Sequence, residues 1–203
     1  AQIYAQLKKA RLVGVVDLDK PKAEVSLAKL ELAAPVFSSL DEALSAVDAT
    51  VVDICLPTDL HARFALDAIR AGKHVFCEKP FALSVADAKR VHSAAVRRKV
   101  FVQVGQCIRF WPEYMAFEKF VKSGKAGRLL SLSLQRRAGR PAYSTNDWLN
   151  VEARSGGAAL DLHIHDTDFV HHLLGKPAAV TSAGTKDSTG WSHIFTTYHF
   201  KDI

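Results

Sequence analysis

The stretch VVDICLPTDLHARFALDAIRAGKHVFCEKP, residues 51–80, decides the fold. Residues 51–56 form an apolar run too short for a helix and rich in β-branched side chains, which predicts a strand. Residues 58–71 carry apolar side chains at helical spacing, with Phe64, Leu66, Ala68 and Ile69 backed by Arg63, Asp67 and Arg70, and Gly72 supplies a stop. Residues 74–77 are a second short apolar run. Strand, helix and strand in that order predict a right-handed crossover between parallel neighbours. The alternation extends outward: 12–16 and 100–104 read as strands, and 20–33, 39–47 and 84–98 as helices. Ser39 with Glu42 and Ser84 with Asp87 have capping-box-like spacing at two helix starts. The first hundred residues predict a parallel α/β sheet with strands buried on both faces and ligands at their carboxyl ends.

The pattern changes after Gly105. A helix over 112–123 is entered through Trp111-Pro112, and partial alternation predicts a strand over 128–135. A loop rich in Arg, Gly, Pro and aromatics runs to Ser155, then a helix from about 157 to 174, then strands over 179–185 and 193–201. The chain thus divides into residues 1–105 and an α+β unit over 106–203. Helical character over 3–8 has no strand before it, and the chain stops in strand-like sequence, so it reads as a segment of a longer polypeptide.

With 203 residues, 48% hydrophobic and 24% charged, the chain buries a core without disulfides or structural metal. Its longest stretch free of Asp, Glu, Lys and Arg, 188–200, is short and polar, which predicts no membrane span and no signal peptide. Cys55, Cys77 and Cys107 lie far apart and odd in number, as expected of reduced thiols in the cytoplasm. The net charge of +6 divides evenly, 15 − 12 = +3 up to residue 100 and 12 − 9 = +3 beyond it, so no basic patch calls for nucleic acid.

Three places speak of chemistry. Asp17 closes the first apolar run, where a dinucleotide-binding βαβ unit uses an acid to accept hydrogen bonds from ribose hydroxyls; an acid at a strand end is otherwise simply solvated, and no GxGxxG occurs. Glu78-Lys79-Pro80 follows the strand 74–77, at the ligand end of the sheet, with an exposed charged turn as the alternative. In the run Gly156 to Asp168, an unbroken helix puts Asp161, His165, Asp168 and His172 on one face, where a carboxylate and an imidazole one turn apart form an acid/base pair. His163, His165, Asp166 and Asp168 as metal ligands is the second reading, disfavoured because helical phase splits the His-x-His pair.

Asp17, Pro57-Thr58-x-x-His61, Glu78-Lys79-Pro80, Arg109-Phe110-x-Pro112 and Gly156-Gly157 leading to Asp161-x-x-x-His165 resemble, in order and spacing, the Gfo/Idh/MocA oxidoreductases. The resemblance covers nearly the whole chain. It implies a Rossmann-type sheet, here without its first strand and Gly-rich loop, then an incomplete α+β substrate domain with an open sheet. It implies hydride transfer between NAD, less so NADP, and a secondary alcohol or carbonyl of a sugar, cyclitol or related polyol, in a homodimer or homotetramer. It makes Lys79, Asp161 and His165 catalytic: His165 the base, Lys79 stabilising charge on the substrate oxygen (or these two roles exchanged), Asp161 orienting His165 or gripping a neighbouring hydroxyl. Asp17, Pro57, Thr58, His61, Glu78, Lys79 and Arg109 are implied at the cofactor, with helix capping by Thr58 and a surface His61 as alternatives. Lys79, Arg109, Trp148, Asp161 and His165 are implied at the substrate. Tyr143 is a candidate lid residue, and Arg109 alternatively pins the hinge between the two units. His163 stands where many members have Gly. An inactive nicotinamide-binding sensor and, behind it, a metal-dependent hydrolase are the rival functions.

Overall fold

The computed structural model describes residues 2–201. After a single 3-10 turn at Tyr4–Gln6, strands β1 (Val15–Val16), β2 (Val36–Phe37), β3 (Val51–Ile54), β4 (His74–Cys77) and β5 (Val102–Val104) alternate with helices. The helices are α1 (Lys20–Lys29), α2 (Leu40–Ala46), α3 (Thr58–Arg70) and α4 (Val85–Arg98). All strand pairs here are parallel, with β1 on β2 and, separately, β3 on β4 on β5. The expected single sheet is therefore two sheets among the described residues, and β2 is an element that the periodicity did not reveal.

Local chemistry sets the helix starts. Asp19 accepts from Lys22 N–H, Ser39 from Glu42 N–H and Ser84 from Asp87 N–H, each satisfying one orphan donor of a first turn. The core lies on one face of β3–β5: Ile54, Val75 and Cys77 pack on Ala65, Ala68 and Ile69 of α3 and on Val91, Ala94 and Ala95 of α4. Burial of the strands on both faces is not observed. Val51, Phe76 and Phe101 on the opposite face are exposed, Phe101 at 79%, and the Tyr4–Gln6 turn meets that side through Tyr4, whose Oη donates to Asp53 Oδ2 at 2.8 Å.

The second half begins with a 3-10 turn, Cys107–Phe110, and α5 (Pro112–Lys122). The expected strand over 128–135 is absent. Residues 132, 134 and 136 are half-buried and their neighbours exposed, so the alternation is real, yet no described strand lies alongside to form a ladder. A 3-10 turn at Thr145–Asn150 leads to α6 (Glu152–Ser155), α7 (Gly157–Asp161) and α8 (Ile164–Leu174). Strands β6 (Ala179–Asp187) and β7 (Gly190–His199) close the chain as an antiparallel hairpin with a register shift between Thr185 and Lys186. Phe169 of α8 is fully buried, with Tyr114 edge-on at 4.7 Å and Phe117 at 6.3 Å, which locks α8 to α5.

The expected continuous helix over 157–174 is broken at Leu162-His163. His163 N–H reaches back five residues to Ala158 O at 2.8 Å, and His165 N–H bonds Leu162 O at 3.3 Å rather than Asp161 O. The wide turn inserts a residue into the helical phase, the geometry of a π-bulge. It leaves the Asp161 carbonyl free for another donor.

Candidate active site

The carboxyl ends of β3 and β4 carry two short loops that a buried histidine ties together. His61, on the first turn of α3, is 1% exposed, and its ring nitrogens lie 2.8 Å from Leu56 O and 2.8 Å from Pro80 O. It is neither a surface residue nor free to line a nicotinamide, because both polar atoms are spent on backbone carbonyls. Its role is to hold the Glu78-Lys79-Pro80 loop, in which the Lys79–Pro80 peptide bond is cis, against the start of α3. Thr58, beside it, does not cap the helix. Pro57 holds the N-cap position, and the buried Thr58 Oγ1 finds no hydrogen-bond partner among the described residues.

Lys79 crosses from the β4 loop to the broken helix. Its Nζ donates to Asp161 O at 2.7 Å, the carbonyl freed at the break, and to Asp161 Oδ1 at 2.8 Å, with the two side chains 18% and 24% exposed. Asp161 is thereby committed to Lys79, and no hydrogen bond joins it to His165 among the described residues. The expectation that Asp161 orients His165 through an unbroken helical face gives way to this pairing, since the inserted turn moves the two out of phase.

His165 Nδ1 is buried and has no partner among the described residues. Burial holds the imidazole below its ordinary value of 6.5; Lys79 and Arg136 act in the same direction, and Asp161 and Asp166 oppose them. The ring is therefore neutral near pH 7 and its Nδ1 is available to accept or hold a proton.

The remaining acids of the run go elsewhere. Asp168 takes a two-pronged bond from Arg109, Nε at 2.7 Å and Nη2 at 2.5 Å. Arg109 is thus locked between its 3-10 turn and α8, both within residues 106–203 rather than across the two units, and this fork is unavailable to a ligand. Asp166 takes a fork from Arg136, and His163 Nε2 lies 2.9 Å from Thr196 Oγ1. These side chains diverge, and among the described residues no three His, Cys, Asp or Glu side chains converge as metal ligands.

Asp17 stands apart at the end of β1, exposed, with Oδ1 accepting Asp19 N–H at 2.9 Å. Glu78 folds over its own loop, Oε2 accepting Lys79 N–H at 3.1 Å. Trp148 is half-buried on a turn that packs against α6 and α7, whereas Tyr143 is 83% exposed and walls nothing. The glycine pair has a steric reason. Gly156 and Gly157 take φ of +77° and +61°, and a Cβ on Gly157 would meet Thr189 O at 3.1 Å, so only glycine lets the backbone enter α7 tightly against the hairpin turn. Arg136 and Tyr114 carried no motif and were missed by the sequence; Asp166 was weighed only as a metal ligand.

A family model described as "Oxidoreductase family, NAD-binding Rossmann fold" matches residues 1–106, and one described as "GFO/IDH/MocA C-terminal domain" matches 114–201. The chain belongs to the GFO/IDH/MocA oxidoreductases. It is 36% identical over 186 residues to inositol 2-dehydrogenase 2 of Saccharopolyspora erythraea, covering 89% of this chain and 51% of that one. It is 34% identical over 149 residues to the 2,7-anhydro-N-acetylneuraminate hydratase of Escherichia coli, covering 73% of this chain and 40% of that one. The solved structure of GenD2 from gentamicin A biosynthesis in complex with NAD superimposes with a TM-score of 0.81 at 25% identity, covering 99% of this chain and 59% of that one. The chain spans about half the length of such relatives. No helix among the described residues is long and apolar enough to cross a membrane.

Proposed function

We propose that the protein containing this chain is an NAD-dependent oxidoreductase acting on a secondary alcohol or carbonyl of a sugar, cyclitol or related polyol. The observation that carries this reading is the Lys79 ammonium held by both the carbonyl and the carboxylate of Asp161, beside a neutral His165 whose buried Nδ1 is unsatisfied. The unpartnered Thr58 Oγ1 at the carboxyl end of the sheet is a second buried polar atom awaiting a ligand, so the residues present fit a nicotinamide cofactor. The bound nicotinamide supplies the hydride acceptor or donor. Residues 1–105 hold it, with Asp17 at the ribose hydroxyls, Thr58 and Pro57 at the β3 end and Glu78 at the β4 end; residues 106–203 face the substrate.

In the alcohol-oxidising direction His165 takes the hydroxyl proton at Nδ1. Lys79 donates a hydrogen bond to the same oxygen and stabilises the negative charge that develops there. Asp161 fixes the ammonium in one direction through two acceptors, which limits the reorganisation needed as charge builds up. An exposed carboxylate at Asp17 disfavours the extra phosphate of NADP.

The exposed outer face of the β6–β7 hairpin, with Phe195, suits self-association into a dimer or tetramer, and the chemistry suits the cytoplasm. The test is NADH formation by the full polypeptide across a polyol and sugar panel, with product analysis that also detects water addition, since one relative is named a hydratase. NADH formation from at least one polyol is the expected result. Water addition without net NADH formation overturns the assignment.

A further inference from the structure

Arg136 lies in the extended segment that precedes the Thr145–Asn150 turn, with no ladder to hold it. Its guanidinium is fixed all the same. Nε donates to Asp166 Oδ2 at 3.0 Å, and Nη2 donates to Asp166 Oδ1 at 3.0 Å and Tyr114 Oη at 3.0 Å. The pair is largely withdrawn from water, the Arg136 and Asp166 side chains being 21% and 11% exposed. A planar fork on a carboxylate sets orientation as well as distance. Asp166 is the residue after His165, and Tyr114 stacks edge-on against Phe169 of the same helix.

We propose that Arg136 is a positioning residue for His165: its fork on Asp166 and its bond to Tyr114 fix the first turn of α8, just past the helix break, so that the His165 ring is held beside Lys79. This rests on the reading of His165 as the proton acceptor. The break at Leu162-His163 deprives that turn of the normal backbone support from α7, and the Arg136 clamp substitutes for it.

The clamp also brings charge to the site. The charged groups acting on the His165 ring come from each element around it: Lys79 from the β4 loop, Asp161 from α7, Asp166 from α8 itself and Arg136 from the extended segment. His163, at the helix start, faces Thr196. Arg136 and Lys79 disfavour the imidazolium, and the two acids favour it.

Opposite-sign outcomes follow for the two halves of the clamp. In the full polypeptide, NMR titration of histidine-labelled protein, with the His165 signal assigned by its loss in His165→Asn, reads the ring directly. Arg136→Gln moves the His165 midpoint up and Asp166→Asn moves it down, each on the order of half a pH unit. The double variant falls between them, and Arg136→Lys, which keeps the charge, stays nearer the parent. If Arg136→Gln does not fold, Asp166→Asn and the double variant still give the sign. Midpoints that do not move, or that move together, overturn the proposal, and so does a double variant, without either charge or the fork, whose kcat equals the parent's at unchanged NADH affinity, since a positioning role is lost with the fork whatever the net charge. A midpoint that moves as expected while the acid limb of kcat/KM does not follow it leaves the clamp standing and removes His165 as the base.

Discussion

Replacing His61 with leucine removes a buried ring of similar bulk whose nitrogens lie 2.8 Å from Leu56 O and Pro80 O. A neutral imidazole carries one N–H, so with packing nearly conserved the cost is that of one carbonyl left without its donor. At about 1–3 kcal/mol for an unsatisfied group, the variant loses roughly 1–3 kcal/mol of stability. For a chain of this size 1 kcal/mol shifts Tm by about 2–4 °C, so the melting point falls by about 2–12 °C. Urea unfolding shows a lower midpoint at unchanged slope. His61→Gln keeps an N–H donor and loses less. Activity falls further than cofactor affinity, because the loosened loop carries Lys79 one residue before Pro80, and a misplacement of about 1 Å at a reacting group costs on the order of a hundredfold. A His61→Leu protein within about 0.5 kcal/mol of the parent that binds NADH weakly would refute the clamp and return the ring to the ligand.

Two more predictions concern titrating groups. Burial holds His163 and His165 below 6.5, so above that pH the folded and unfolded chains both carry neutral rings and the full stability is present. As pH falls through 6.5 the unfolded chain binds protons first, so the urea midpoint drops as pH falls below about 6.5, and His163→Asn with His165→Asn flattens that drop. Partial burial and then Asp53 push the Cys55 thiol up to about 12, and burial and then Glu78 push Cys77 up to about 12; Cys77 is buried, and Cys55 and Cys107 both present exposed surface. At pH 8 about one in 10⁴ of Cys55 and Cys77 is thiolate, so iodoacetamide followed by peptide mapping modifies Cys107 first; early labelling of Cys55 contradicts the Asp53 contact.

What was legible in the sequence was what local chemistry controls. β4 has the predicted bounds because a continuous apolar run is bracketed by Gly72 and the charged Glu78-Lys79. Caps at Ser39 and Ser84 mark α2 and α4 for the same reason. What was not legible depends on distant partners. Partial alternation over 128–135 predicted a strand that is absent, because a ladder needs a neighbour that those residues do not encode. The break at Leu162-His163 lies between good helix formers, and the Asp161 carbonyl it frees is taken by Lys79, 82 residues away. Lys79, Asp161 and His165 were grouped as candidates on a shared helical face for the last two; Asp161 is instead paired with Lys79, because phase along an ideal helix does not survive one inserted residue. His61 had a missed signal: it lies four residues before Ala65 and eight before Ile69, on the face that enters the core. Arg136 had none, since its partners Tyr114 and Asp166 are 22 and 30 residues distant.

The most direct test of the Lys79, Asp161 and His165 assignment is turnover at saturating cofactor by Lys79→Met and His165→Asn in the full polypeptide, with NADH affinity measured on the same samples. The account predicts a fall in kcat on the order of a hundredfold or more for each, with NADH affinity within a few-fold of the parent. Turnover by both variants within about tenfold of the parent would contradict it.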